Sequence, residues 1–156
     1  MRFLIFRTAR RPSAFLSVAL LPAALVSCAQ SDGEISRNTQ PFDGISPSTS
    51  IKLLGTEPFW SVDIEPAGKA FQARYSTPDN TVGTDFTAER FAGNNGIGFS
   101  GEMDGKSVQI ALTPGACSDG MSDRTYPYTA TVAIGDATLF GCGHTGDEPF
   151  SGEQAP

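Results

Sequence analysis

Ser118, Asp136 and His144 occur in the chain order of a hydrolase nucleophile, acid and base. The string Ala116-Cys117-Ser118-Asp119-Gly120 comes within one residue of the G-x-S-x-G turn that presents a catalytic serine. Ala116 stands where the first glycine belongs. The strand–turn–helix setting is missing, and a chain this short lacks the layered sheet behind such a turn. No catalytic residue is therefore assigned. Asp119 and Asp123 offer a second chemistry, since carboxylates spaced around a glycine suit a hard cation. An EF-hand loop starting at Asp119 would need a ligand at its third position and a glutamate at its twelfth. Met121 and Ala130 stand there instead. No metal and no cofactor is predicted. The better-founded role for Ser118, Asp119, Ser122 and Asp123 is to accept backbone N–H bonds and hold a turn. Arg124 can pair with either aspartate. On that reading residues 118–124 form a rigid corner between two strands.

Two aromatic blocks, Glu57-Pro58-Phe59-Trp60 and Tyr126-Pro127-Tyr128, are a third candidate. They can line the mouth of a barrel and hold a small apolar ligand. Aromatic residues in strands more often fill a core, and Trp60, the only tryptophan, is expected at its centre. Trp60, Ser118, Asp119, Asp123, Arg124 and Tyr126 are thus the candidate binding or structural residues.

The three cysteines divide by context. Arg2, Arg7, Arg10 and Arg11 precede an apolar run from Ser13 to Val26, which is the layout of a secretory signal peptide. The run is too short for a membrane-spanning helix. It ends in Leu25-Val26-Ser27-Cys28, which resembles a bacterial lipobox, so residues 1–27 are expected to be removed and Cys28 acylated (palmitate among the chains). Cys117 and Cys142 remain as an even pair in an oxidising compartment and are predicted to form a disulfide. Ala29 after the acylated cysteine favours the outer membrane by the general lipoprotein sorting rule. The expected location is the cell envelope, with the protein anchored by lipid and facing the periplasm.

Without residues 1–27, seven basic residues face 17 acidic ones, a net charge of −10. Such a chain repels nucleic-acid phosphates, so no nucleic-acid partner is expected. Excess negative charge favours solubility and can steer basic partners.

Residues 28–50 are polar, with Ile35, Phe42 and Ile45 as isolated large apolar residues, and predict a lipidated N-terminus with a flexible linker. Residues 146–156 predict a disordered tail. Between them, 51–145 carries no helical period. Trp60, Val62 and Ile64 alternate with polar residues, as do Phe71, Ala73 and Tyr75. Further runs surround Phe86, Ile97–Phe99, Val108–Leu112, Tyr126–Ile134 and Leu139–Cys142, with Asp104-Gly105 as a hairpin turn between two of them. The fold class is all-β: a small antiparallel meander of about seven strands. With no helix to cover its apolar face, it must close into a barrel or curled sandwich, supported by one disulfide.

Two stretches are more individual than these runs. Gly55-Thr56-Glu57-Pro58-Phe59-Trp60-Ser61-Val62 and Cys117-Ser118-Asp119-Gly120-Met121-Ser122-Asp123, followed by Tyr126-Pro127, resemble the two signature blocks of a family of small uncharacterised bacterial lipoproteins. Gly141-Cys142 matches the pair that often ends the family's last strand. The resemblance covers roughly residues 53–143. It implies a small all-β fold, an association with HslJ (META)-type and lysozyme-inhibitor lipoprotein domains, and no catalytic residues. The function expected is that of a non-catalytic envelope lipoprotein, structural or stress-related. The alternatives are a protein-binding module, such as an inhibitor of a basic cell-wall lytic enzyme, or a binder of a small apolar ligand. The partners expected are the membrane, through the lipid, and an envelope protein.

The anchor has a direct test. Cys28→Ala is expected to yield unprocessed precursor or a soluble periplasmic form with no acyl label. Acylated, membrane-fractionated variant would count against it. One acyl chain holds a bilayer only marginally, so native anchoring is expected to need more than one.

Overall fold

The computed structural model describes residues 40–153. Cys28 and the signal segment lie outside the described residues. Eight strands follow one another: β1 (Ile51–Thr56), β2 (Phe59–Ala67), β3 (Ala70–Thr77), β4 (Asn80–Ala92), β5 (Ile97–Met103), β6 (Lys106–Ser118), β7 (Thr125–Ile134) and β8 (Ala137–Thr145). Each pairs antiparallel with the next, and β1 pairs with β8, closing a barrel. The predicted all-β barrel with a Cys117–Cys142 bridge is what the chain forms. The turn chemistry works as read. Asp104 (φ 53°) and Gly105 (φ 74°) both take the left-handed conformation that a two-residue hairpin with the right twist requires.

Alternation decides which side of the wall each residue occupies. Ile51, Leu53, Val62, Ile64, Ala73, Phe86, Phe99, Ile110, Leu112 and Val132 are all buried in one central cluster. The rings of Phe71 and Phe99 meet edge to face at 5.1 Å within it. The outer positions carry charge, including the cross-strand pairs Lys52–Asp63 (2.6 Å) and Arg74–Asp85 (2.7 Å). An apolar interior with a charged wall is the reverse of a membrane-spanning barrel. Among the described residues no helix is long and apolar enough to cross a membrane.

The sequence expectation differs from the structure in three places. The barrel has eight strands rather than about seven, because Ile51–Thr56 forms β1. The linker expected over 28–50 docks on the barrel at its described end. Ile45 is 3 % exposed and joins the core, with Phe42 packed beside it. The Phe42 amide donates to the Gly93 carbonyl (2.8 Å), and Arg90 donates to the Ile45 carbonyl (2.8 Å). A single apolar plug has no period, so pattern reading passes over it. The tail expected to be disordered over 146–156 is likewise bonded in place through its described part. Thr145 and Glu148 exchange bonds (3.0 and 2.9 Å), the Tyr128 hydroxyl donates to Glu148 (2.6 Å), and Ser151 bridges Thr125.

Trp60 occupies its place in the barrel because two neighbouring strands lack a side chain there. Gly55 is its cross-strand partner, and a Cβ on Gly55 would come within 2.2 Å of the indole Nε1. A Cβ on Gly141 would meet the Leu54 carbonyl oxygen at 2.0 Å and the indole Cζ2 at 2.8 Å.

Two substitutions test these features by thermal or chemical unfolding. Ile45→Ala is expected to cost about 2–5 kcal/mol, as for a core residue, whereas a linker residue would leave the midpoint unchanged. Gly141→Ala is expected to cost about 1–3 kcal/mol by overpacking. An unchanged midpoint would remove the close approach as a constraint.

Candidate functional site

The disulfide joins strands that are not neighbours. Cys117 is the last residue but one of β6 and Cys142 lies in β8, with β7 between them, yet their Cα atoms are 5.6 Å apart. Strands two apart in a flat sheet stand roughly 9.5 Å from each other. The register of the β6–β7 pair shifts between Pro114 and Cys117, and the pair continues beyond the shift through Cys117–Tyr126 and Ser118–Thr125. The tip of this hairpin therefore bends as a unit toward β8. Register shows on which side. Gly141 and Gly143 pair with the core-facing Ala130 and Tyr128, so Cys142 between them faces outward. It is nevertheless only 1 % exposed. The Cys117 sulfur is bonded to it there and lies 3.5 Å from the Gly141 carbonyl, which brings the start of the corner 118–124 against the outside of the barrel.

The corner is held by its own polar groups. The Asp119 carboxylate accepts from the Met121 and Ser122 amides (2.9 Å each), the Ser122 hydroxyl (2.8 Å) and the Tyr126 hydroxyl (3.2 Å). Desolvation pushes the Asp119 carboxyl upward, but these donors together outweigh it and hold its pKa below the ordinary value. The Ser118 hydroxyl accepts from the Gly120 amide (3.1 Å). Thr56 in β1 donates to the Asp119 carbonyl (2.9 Å), tying the corner to the start of the barrel. The tail braces it from behind: the Arg124 guanidinium stands 4.3 Å from the centre of the Phe150 ring, and Phe150 packs against Tyr126 and His144. Burial lowers the pKa of His144. The Thr145 backbone bond acts against this, and the positive charges of Lys52 and Arg124 add to it.

Between this corner and the wall runs a groove of about 610 Å³. Its floor is a lateral row of outward positions, Leu54, Ser61 and Ser76, which are direct partners across β1, β2 and β3. The Ser61 and Ser76 hydroxyls are bonded to each other at 2.7 Å. One wall is Asp119, Met121, Ser122 and Arg124. The other is the β3–β4 turn, with Thr77, Pro78 and Thr81. Phe59 and Met121 stand at its edges, 50 % and 62 % exposed. Trp60 and Tyr126, both buried, complete the lining.

The structure brings together most of the residues singled out from sequence. Trp60, Asp119, Arg124 and Tyr126 all line the groove. The mouth-of-barrel picture is corrected, since the recess lies on the outer wall and the interior is filled by side chains. Tyr128 points to the core cluster and does not line the groove. The hydrolase constellation does not assemble. Asp136 sits in the β7–β8 turn and His144 near the far end of β8, some eight residues or about 26 Å along an extended strand. Asp123 is exposed, Asp119 is taken up by the turn, and no cluster of three or more metal-ligand side chains exists among the described residues. Leu54, Ser61, Ser76 and Met121 were not singled out. Leu54, an apolar residue at an outward position, was the one readable signal.

Comparisons with protein-family models, curated proteins and solved structures return no match for this chain.

Removing the bridge with reductant or by Cys117→Ala, Cys142→Ala is expected to cost about 2–5 kcal/mol and to raise amide exchange first in 118–124. Equal melting temperatures would dismiss the staple. The pH response follows from two depressed pKa values. His144 contributes stability above its unfolded value of about 6.5 that is lost as pH falls through its lower folded value. Asp119 does the same below about 4. Melting temperature is thus expected to fall in two acid steps, the first absent in His144→Gln and the second in Asp119→Ala. Asp119→Ala itself is expected to cost about 1–3 kcal/mol near neutrality, because it strands several donors.

Proposed function

We propose that this is a lipid-anchored envelope protein that acts by binding and not by catalysis, and that the outer-wall groove is where it binds. One observation carries the reading. The two individual stretches of the sequence, Gly55–Val62 and Cys117–Asp123, lie far apart in the chain and meet at this groove, joined by the Thr56–Asp119 bond. A stretch needed only for the core has no reason to converge on the outside. The groove has the volume of a ligand site and combines an apolar edge with hydroxyls that set orientation. Its wall is braced by a disulfide and by the tail, so it is preformed. The resemblance to small bacterial lipoproteins and the lipobox at Cys28 support an envelope location. The small-ligand alternative moves from the barrel interior to this groove.

Trp60 is the only tryptophan and lines the groove, so its emission reports occupancy. An apolar fluorescent probe such as N-phenylnaphthylamine is expected to bind the exported Cys28→Ala chain saturably, with energy transfer from Trp60. Phe59→Ser and Met121→Ser should each weaken binding about five- to tenfold with the melting temperature unchanged, since both side chains are exposed. Equal binding by the variants, or none by the parent, would overturn the groove as a binding site.

A further inference from the structure

We propose that the groove receives an exposed segment of a basic protein, with a large apolar side chain in the groove and a neighbouring Lys or Arg in the recess beside Glu57. The inference rests on the reading of the groove as a binding site and names its partner.

A second recess, of about 370 Å³, adjoins the groove, and the two share Thr56, Asp119 and Met121. Met121 therefore stands on the ridge between them. The chemistry changes across that ridge. The groove side offers Leu54, Phe59 and Trp60. The recess offers the exposed Glu57 carboxylate, Asp119 and the Ser118 hydroxyl, with no Lys or Arg in its lining. Its outer edge is Phe140, 70 % exposed.

Five large hydrophobic residues are exposed among the described residues, and three of them, Phe59, Met121 and Phe140, belong to this one surface. Scattered exposed apolar residues are ordinary, but a cluster around a polar recess marks an interaction surface. Aromatic and methionine side chains at the centre with charge at the rim are the usual make-up of such surfaces.

Charge selects the partner. The described residues carry six Lys and Arg against fifteen Asp and Glu, a net of −9. An acidic surface speeds encounter with basic proteins and repels anionic lipid and nucleic acid alike. The one cation at the groove, Arg124, is stacked on Phe150. Two adjoining recesses of opposite character also suit a chain that alternates apolar and basic side chains better than a single compact ligand.

The test uses the exported Cys28→Ala chain, Trp60 emission, and three capped pentapeptides with leucine flanked by two arginines, two glutamates or two alanines. The arginine peptide is expected to bind saturably and at least about tenfold more tightly than the others. Its affinity should fall roughly tenfold between about 30 mM and about 500 mM salt. Glu57→Gln should weaken it about fivefold, and Phe140→Ser by a similar factor, with melting temperatures unchanged. Equal binding of the alanine and arginine peptides would overturn the basic-partner inference and leave the groove reading standing. So would failure of all three peptides where the apolar probe still binds. Failure of peptides and probe together would remove both. Binding to anionic vesicles that is insensitive to Glu57→Gln would overturn the proposal in favour of a lipid surface.

Discussion

The indole of Trp60 and the two glycines beneath it are the constraint that the barrel is built around. An indole is too large to sit inside a narrow barrel unless neighbouring strands give up their side chains. Gly55 on β1 and Gly141 on β8 do so, and they lie on either side of the β1–β8 seam that closes the barrel. The close contact of the Gly141 position with the Leu54 carbonyl shows how tightly that seam is drawn. A closed barrel leaves no unpaired edge to template aggregation. Trp60 thus links the interior packing to the closure, and it reaches the groove as well.

The second structural layer is outside the barrel, which is unusual for so small a domain. A corner of polar residues would be expected to project into solvent. Here the register shift after Pro114 bends the paired ends of β6 and β7 together, and the disulfide holds them against β8. Asp119 satisfies the turn from within, while Tyr126 and Phe150 support it from below. Tyr126 and Cys142 are as buried as the central residues yet lie outside the main cluster. The result is a small second core on the barrel's exterior, and a groove where its edge meets the wall. Binding surfaces gain from such rigidity because less ordering is needed when a partner arrives.

The ends of the described chain serve the same economy of surface. Ile45 plugs apolar surface that the strands leave open, and the 145–148 turn ties the last strand to Tyr128. A core of about a hundred residues is modest, so each such closure is a large fraction of what stabilises the fold.

The sequence by itself determined the fold class. Period-two alternation, the Asp104-Gly105 turn and the pairing of Cys117 with Cys142 are each legible without knowing the neighbours. It also determined which residues were unusual, Trp60 and the 117–126 stretch above all. The path of the corner was decided by tertiary structure alone. Leu54 faces outward but is apolar because the groove and Cys142 lie beside it, so Ile51-Lys52-Leu53-Leu54 does not alternate and β1 carries no clean period-two signal. Ile45 and Phe150 look like strays in polar segments because what they cover is supplied by strands distant in sequence. Whether Asp119 and Trp60 share a surface depends on how far the β6–β7 hairpin bends toward β8. That is a matter of closure and cross-linking across the barrel, which no local pattern encodes.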